Sequence, residues 1–388
     1  MPHPYRLDES TQSIVDRAAA LAKEHAAPHA ARVDQEARFP DEGIGALARA
    51  GFFGLCLPKE IGGQGQGLRA YAATIEELAT QCASTAMVYV MHVTATAAIA
   101  SSNLLKSKEA VLRDIAAGKH LTTLAFSEKG SRSQFWAPTS KFEAKGDGLV
   151  VNAYKSWVTS ADRADSYVSS AQMPNAESPL QSTVYLVARK SDGVKGQSAF
   201  DGLGLRGNDS KPVLYDNLKV SSDDLISAQG EGANTMLGVV LPWFAVGTSA
   251  MAHGLCRGAV AATASHLSNA GFDHTGSKLR DLPNLRARLA RMNVRTEQSR
   301  ALLGHTLDHM ESGSEVAALY VLQMRHSALE AATEVTGLAM KACGGAAFSK
   351  HLPVERLFRD AQAGWVMAPT VDHLDDFIGK ALTGLPLF

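Results

Sequence analysis

Trp157 and Thr159 stand two residues apart in the strand-like run KSWVTSADRAD (155–165). On an alternating backbone both face one side, an aromatic wall beside a hydroxyl donor; a plain core aromatic is the competing reading of Trp157. Arg132 and Ser133 close the polar run SEKGSRS (127–133), where the guanidinium could anchor an anionic substrate or be an ordinary surface arginine. His92 lies on the nearly uncharged segment Ser84–Ser101, one turn beyond Tyr89. It could exchange a proton near neutral pH, although a structural role comes first. Gly344 and Gly345 lack a Cβ and would let backbone approach a bound group closely, against the simpler reading of a helix end. Asp372 and His373 follow Thr370 and suit a helix cap or a bound group better than a general base. Arg356, Arg359 and Asp360 read as a structural salt-bridge set. The glycines of GFFGLCLPKEIGGQGQG (51–67) have the wrong spacing for a dinucleotide fingerprint, so this stretch is expected to be a surface loop.

Elements able to hold these residues follow from composition and period. The 388 residues suggest two to three domains at about 150 residues each. Lys plus Arg number 38 against 39 for Asp plus Glu, a formal charge of −1 that excludes a basic footprint for nucleic acid. Aromatic residues make up 6% and hydrophobic ones 45%, with Ala, Leu and Val in surplus, so the fold class expected is α+β and mostly helical. The four cysteines, Cys56, Cys82, Cys256 and Cys343, show neither CxxC nor metal spacing and suit buried thiols in a reducing cytoplasm. No run is expected to be apolar and long enough to span a membrane, and the opening MPHPYRLDESTQ has no apolar export segment.

Helical spacing covers Thr11–Ala30, Gly43–Ala50, Leu68–Gln81 and Ser84–Ser101. From Leu121 the pattern turns to β-branched and aromatic runs separated by turns, ending with KPVLYDNLKVSSDDLI (211–226). Long helical segments return at Gly238–Ala270, Asn284–Ser312, Glu315–Ala342 and Pro369–Leu382. The expected domains are an N-terminal helical domain over 1–120, a central β domain over 121–228 and a C-terminal four-helix bundle over 229–388.

Five ordered segments carry a resemblance across nearly the whole chain: DQEARFPDEGIGALARAGFFGLCLPKEIGGQG, LAFSEKGSRS, KSWVTSADRAD, LGLRGNDS and CGGAAFSKHLPVERLFRDAQ. Together the chain resembles the acyl-CoA dehydrogenase family. The resemblance implies bound FAD (FMN is the lesser alternative), that three-part architecture, a homotetramer, an acyl-CoA or other acyl thioester as substrate, and an electron-transfer partner or flavin reductase. It implies that Phe126 and Ser127 line the pyrimidine end of the flavin, that Trp157 and Thr159 meet its ring, and that Ser133, Thr370 and Asp372 lie along the cofactor. Gly344 and Gly345 would approach a neighbouring subunit's adenosine. Tyr89, Arg132, Phe244, Met367 and Ala368 would line the substrate.

Where the family places a glutamate that takes the substrate α-proton, this chain has Ala368, followed by Pro369. The family's alternative place for that glutamate falls near Trp243 and Phe244, and neither is a base. The N–H of Ala368 remains able to hold a carbonyl oxygen. An Arg-x-x-Phe-Gly cofactor motif reads here as Phe272-Asp273-His274-Thr275-Gly276, with Lys278, Arg280 or Lys341 as possible replacements on phosphate. The catalytic residue is therefore open, with Arg132 and His92 as candidates. The leading reading is α,β-dehydrogenation of an acyl thioester by an oxidoreductase acting on a CH–CH group, with a non-standard or absent base. A flavin-dependent monooxygenase fed by a reductase and a catalytically silent partner subunit are the alternatives.

Overall fold

In the computed structural model, which describes residues 3–146 and 148–387, helices enclose a central β region on either side along the chain. The first part holds α1 (Glu9–Leu21), α2 (Ala30–Gln35), α3 (Asp41–Arg49), α4 (Leu68–Gln81), α5 (Ala83–Ser101) and α6 (Lys108–Ala116). Asp8 caps α1 by accepting from the Thr11 N–H at 2.7 Å. The single helix expected over Thr11–Ala30 is broken: a π turn (Ala22–Ala26) and a 3-10 turn carrying Pro28 separate α1 from α2, because proline gives no N–H to the ladder. The expected surface loop at 51–67 is only partly one, since Phe52, Phe53, Leu55 and Leu57 are buried.

Two sheets follow. β1 (Thr122–Ala125) runs parallel to β4 (Ser166–Gln172), which pairs antiparallel with β5 (Ser182–Ala188). The other sheet is antiparallel, in the order β2 (Phe142–Lys145), β3 (Gly148–Val158), β7 (Lys211–Val220) and β6 (Val194–Gly196). The β3–β7 ladder slips between Val151 and Ala153 and again between Lys155 and Val158. The second slip lies beside the residues of interest, as bulges often do.

A short α7 (Gly232–Thr235) and a π turn lead into α8 (Leu241–Asn269), then α9 (Pro283–Glu311), α10 (Ala317–Cys343), α11 (Gly345–Phe348), α12 (Val354–Ala361) and α13 (Val371–Thr383). Three long helices and the shorter α13 form the bundle. Helix α8 lies so close to α4 that a Cβ on Gly254 would come within 2.4 Å of the Glu76 carbonyl oxygen. At this contact Glu76 is fully buried and accepts from Arg257 at 2.7 Å, from Arg300 at 2.8 Å and from the Tyr5 hydroxyl, so one carboxylate ties the N-terminal helices to the bundle. Arg359 likewise holds Asp34 and Glu355, while Asp360 accepts from the Leu205 N–H at 2.7 Å, consistent with a structural set.

The expectation about apolar length fails by length and composition: Ala83–Ser101 and Gly232–Asn269 are both long and apolar enough to cross a membrane. In the first, 89% of the apolar window is buried inside the protein, because α5 packs against α4, α8 and β1. That burial is the fold's own use of an uncharged helix.

Candidate active site

Past β1 the chain enters a loop that closes on one carboxylate. Glu128 accepts from the N–H and hydroxyl of Thr139 at 2.7 Å each, from the Ser140 N–H at 2.7 Å and from its hydroxyl at 2.5 Å. Lys155 on β3 adds its ammonium at 2.5 Å, with Glu128 and Lys155 almost wholly enclosed. Burial alone would raise the Glu128 carboxyl, but the Lys155 charge and these hydrogen bonds outweigh it and bring the group to about 2. The clasp joins the start of the loop to its end and to β3. Ser156 reinforces it by donating its N–H to the Ser127 carbonyl at 2.7 Å.

This joint brings several sequence candidates together. Phe126 is buried and stacks on Phe135, with centroids 6.2 Å apart, while Ser127 and Ser133 are half-buried. Arg132 is exposed at φ +52°, a left-handed conformation. Trp157, at the end of β3, is 57% exposed and stacks on Phe200 at 4.0 Å. Thr159 lies one residue past the strand and is buried, so the simple alternation that would put both on one face is interrupted by the slip after Lys155. From the bundle, Phe377 of α13 packs against Trp136 of the loop at 5.8 Å.

Thr370 begins α13 as its N-cap residue, and its hydroxyl lies 3.3 Å from His373 Nδ1; Asp372 is exposed in the first turn. Met367 and Ala368 are half-buried in the irregular segment just before. Below them sits a residue not singled out from sequence. Arg325 of α10 is fully buried, donates to the Met367 carbonyl at 3.1 Å and to the Thr248 hydroxyl, and lies over the Phe244 ring at 5.0 Å. Its signal was available: Arg325 interrupts the stripe Val321, Ala328, Ala332 and Val335, which is buried at helical spacing.

Other candidates stand apart. His92 is fully buried, with Nε2 3.3 Å from the Phe53 carbonyl and Nδ1 accepting from the Thr122 N–H at 3.2 Å. Burial pushes it down to about 3, so it is neutral at physiological pH and braces α5 against β1. Tyr89 is equally buried and donates to the Phe52 carbonyl at 2.8 Å. Neither ring is open to a substrate in this arrangement. Gly344 caps the end of α10, nineteen residues and about 28 Å of helix beyond Arg325, and Gly345 opens α11. A Cβ on either would meet nothing within 4 Å, and the neighbouring Phe348 is 85% exposed, so the space there is open to something outside the chain.

Comparison with known proteins then decides the family. The sequence profile of the acyl-CoA dehydrogenase N-terminal domain matches residues 8–119, that of the middle domain 123–218 and that of the C-terminal domain 230–382. The chain belongs to the acyl-CoA dehydrogenase family.

Among its relatives are the cyclohex-1-ene-1-carbonyl-CoA dehydrogenase of Geobacter metallireducens, 27% identical over 97% of this chain and 98% of that protein, and the human short-chain specific acyl-CoA dehydrogenase, 27% identical over 92% and 86%. The structure of butyryl-CoA dehydrogenase from Megasphaera elsdenii superposes with a TM-score of 0.92 at 20% identity, covering 97% of this chain and 99% of that one. As a member of this family the protein is a flavin-dependent oxidoreductase acting on CH–CH bonds. The relatives do not favour the monooxygenase or silent-subunit readings. The residues fit a flavin: an exposed indole at Trp157, hydroxyls at Ser127, Ser133 and Thr159 on two segments clasped together, and open space beside Gly345.

Proposed function

We propose that the protein binds FAD and oxidises the α,β bond of an acyl thioester, with Ala368 where a base would stand. The observation that carries this reading is the joining of 126–133 to 155–159 by the Glu128–Lys155 clasp, which ties together the two segments that bear the ring-wall and hydroxyl residues. When bound, FAD supplies a hydride acceptor. Phe126, Ser127, Trp157 and Thr159 would hold its ring, and Ser133, Thr370 and Asp372 its remaining length. Phe244, Met367, Ala368 and Arg132 would line the acyl group and its carrier. Because net charge is close to zero, attraction for a polyanionic carrier must be local, and Arg132 is exposed to provide it.

The open, glycine-lined space at Gly344 and Gly345 supports a homotetramer in which a neighbouring copy brings its cofactor there. Family membership supports an electron-transferring protein as the acceptor of the electrons. The test is anaerobic mixing of the purified protein with a panel of acyl-CoAs: bleaching of the oxidised flavin band is expected, slowly, since a missing base costs about 10²–10⁴-fold. No bleaching by any thioester, with oxygen-dependent product formed from externally reduced flavin, would overturn the reading. Ala368→Glu should accelerate bleaching; an unchanged rate would show that this position does not face the α-carbon.

A further inference from the structure

Buried cations elsewhere in the molecule have acidic partners: Lys155 has Glu128, and Arg300 has Glu76 and Glu297. Arg325 differs. Among the described residues its partners are neutral: the Thr248 hydroxyl and the carbonyls of Met367 at 3.1 Å and of Ala368 and Pro369 at 3.4 Å, with the Phe244 ring across its face. Burial pulls the group down to about 9, so it remains a cation at neutral pH. An enclosed charge without a counter-charge is expensive to keep.

Its hydrogen bonds also orient the segment that replaces the base. With the Met367 carbonyl turned toward Arg325, the N–H across the same trans peptide, that of Ala368, points the opposite way. No acceptor for this N–H is recorded among the described residues, and Pro369 has no N–H. The start of α13 at Val371 adds the positive end of a helix nearby.

We infer that Arg325 is a positioning residue, which turns the Ala368 N–H toward the thioester carbonyl oxygen and whose uncompensated charge favours the enolate of the bound acyl group. The inference rests on the acyl-thioester reading and supplies what that reading lacks, a route to the α-proton without a side-chain base. In this step the α-C–H bond breaks, its electron pair forms the C=C of the enolate, the carbonyl pair moves onto oxygen, and the proton goes to water or hydroxide. An arginine in low dielectric stabilises that oxygen more than the same charge in water.

The test uses acetoacetyl-CoA, a β-keto thioester whose enolate absorbs in the near ultraviolet, titrated with pH on the holoprotein. The parent protein should ionise the bound ligand at a pH at least one below that of free ligand, a tenfold gain in enolate at fixed pH. Arg325→Met should abolish the gain. Arg325→Lys, which keeps the charge without the planar fork, should retain part of it and serves alone if the methionine variant does not fold. A purely structural role would lower the melting temperature of both variants and leave ligand ionisation at the parent value, which would overturn the inference while leaving the acyl-thioester reading intact. If the parent does not bind acetoacetyl-CoA, both fall.

Discussion

Two segments that carry candidate site residues are held by buried cations in opposite ways. Lys155 is neutralised by Glu128, whose carboxylate gathers the loop ends at Thr139 and Ser140. Arg325 holds 367–369 through backbone carbonyls and has no acid of its own among the described residues. A closed ion pair turns its field inward and serves geometry. An open cation leaves its field available to whatever sits above it, which is why the second arrangement, and not the first, bears on chemistry.

The contrast can be broken first at the clasp. Lys155→Met leaves Glu128 enclosed and uncompensated and should cost about 3–5 kcal/mol in denaturant unfolding. The double variant Lys155→Met/Glu128→Gln should recover much of that loss, and additive losses would mean that the two groups do not act as a pair. Acid provides the next largest effect. The folded-state value of Glu128 is about 2 against an ordinary 4.5, so its contribution is fully present above 4.5 and is lost as pH falls toward 2, by about 1.4 kcal/mol per pH unit. Melting curves of the parent and of Glu128→Gln should converge over that window; parallel curves would count against the clasp.

Arg325→Met should cost about 2 kcal/mol, because unpaired carbonyls are offset in part by removing a desolvated charge. A loss as large as that of Lys155→Met would erase the distinction between the two cations. The smallest stability effect is expected two residues along the same strand, at Trp157→Ala. This side chain is 57% exposed, so unfolding should change by less than about 1 kcal/mol while flavin content on purification falls. Normal flavin content would remove Trp157 from the ring wall.

Much of this was readable in advance. The helical period marked α4 at Leu68–Gln81 to the residue, and the change to β-branched runs at Leu121 precedes β1 by one residue. Both are local patterns that burial imposes directly on a single element. The segments carrying Ser133, Trp157 and Thr159 stand out in the sequence as motifs of the resemblance, and the Glu128–Lys155 pair that joins them becomes visible only in the fold. His92 and Tyr89 were harder: a ring on an apolar helix looks the same whether it faces a pocket or a core, and only the neighbours Phe53, Thr122 and Phe52 distinguish them. Arg325 is hard to distinguish in the sequence, because a single arginine in a long helix ordinarily belongs to a solvated face.

By itself the sequence determined the mostly helical α+β class, the near-zero charge and the absence of an acidic side chain at Ala368, since composition and residue identity need no partner. Tertiary structure decided which charges are closed and which are open. Lys155 and Arg325 are both basic residues in apolar surroundings, and their difference lies in residues 27 positions away for one and more than 40 for the other. Electrostatic energy depends on distance and dielectric in the folded chain, and neither is a property of position along it.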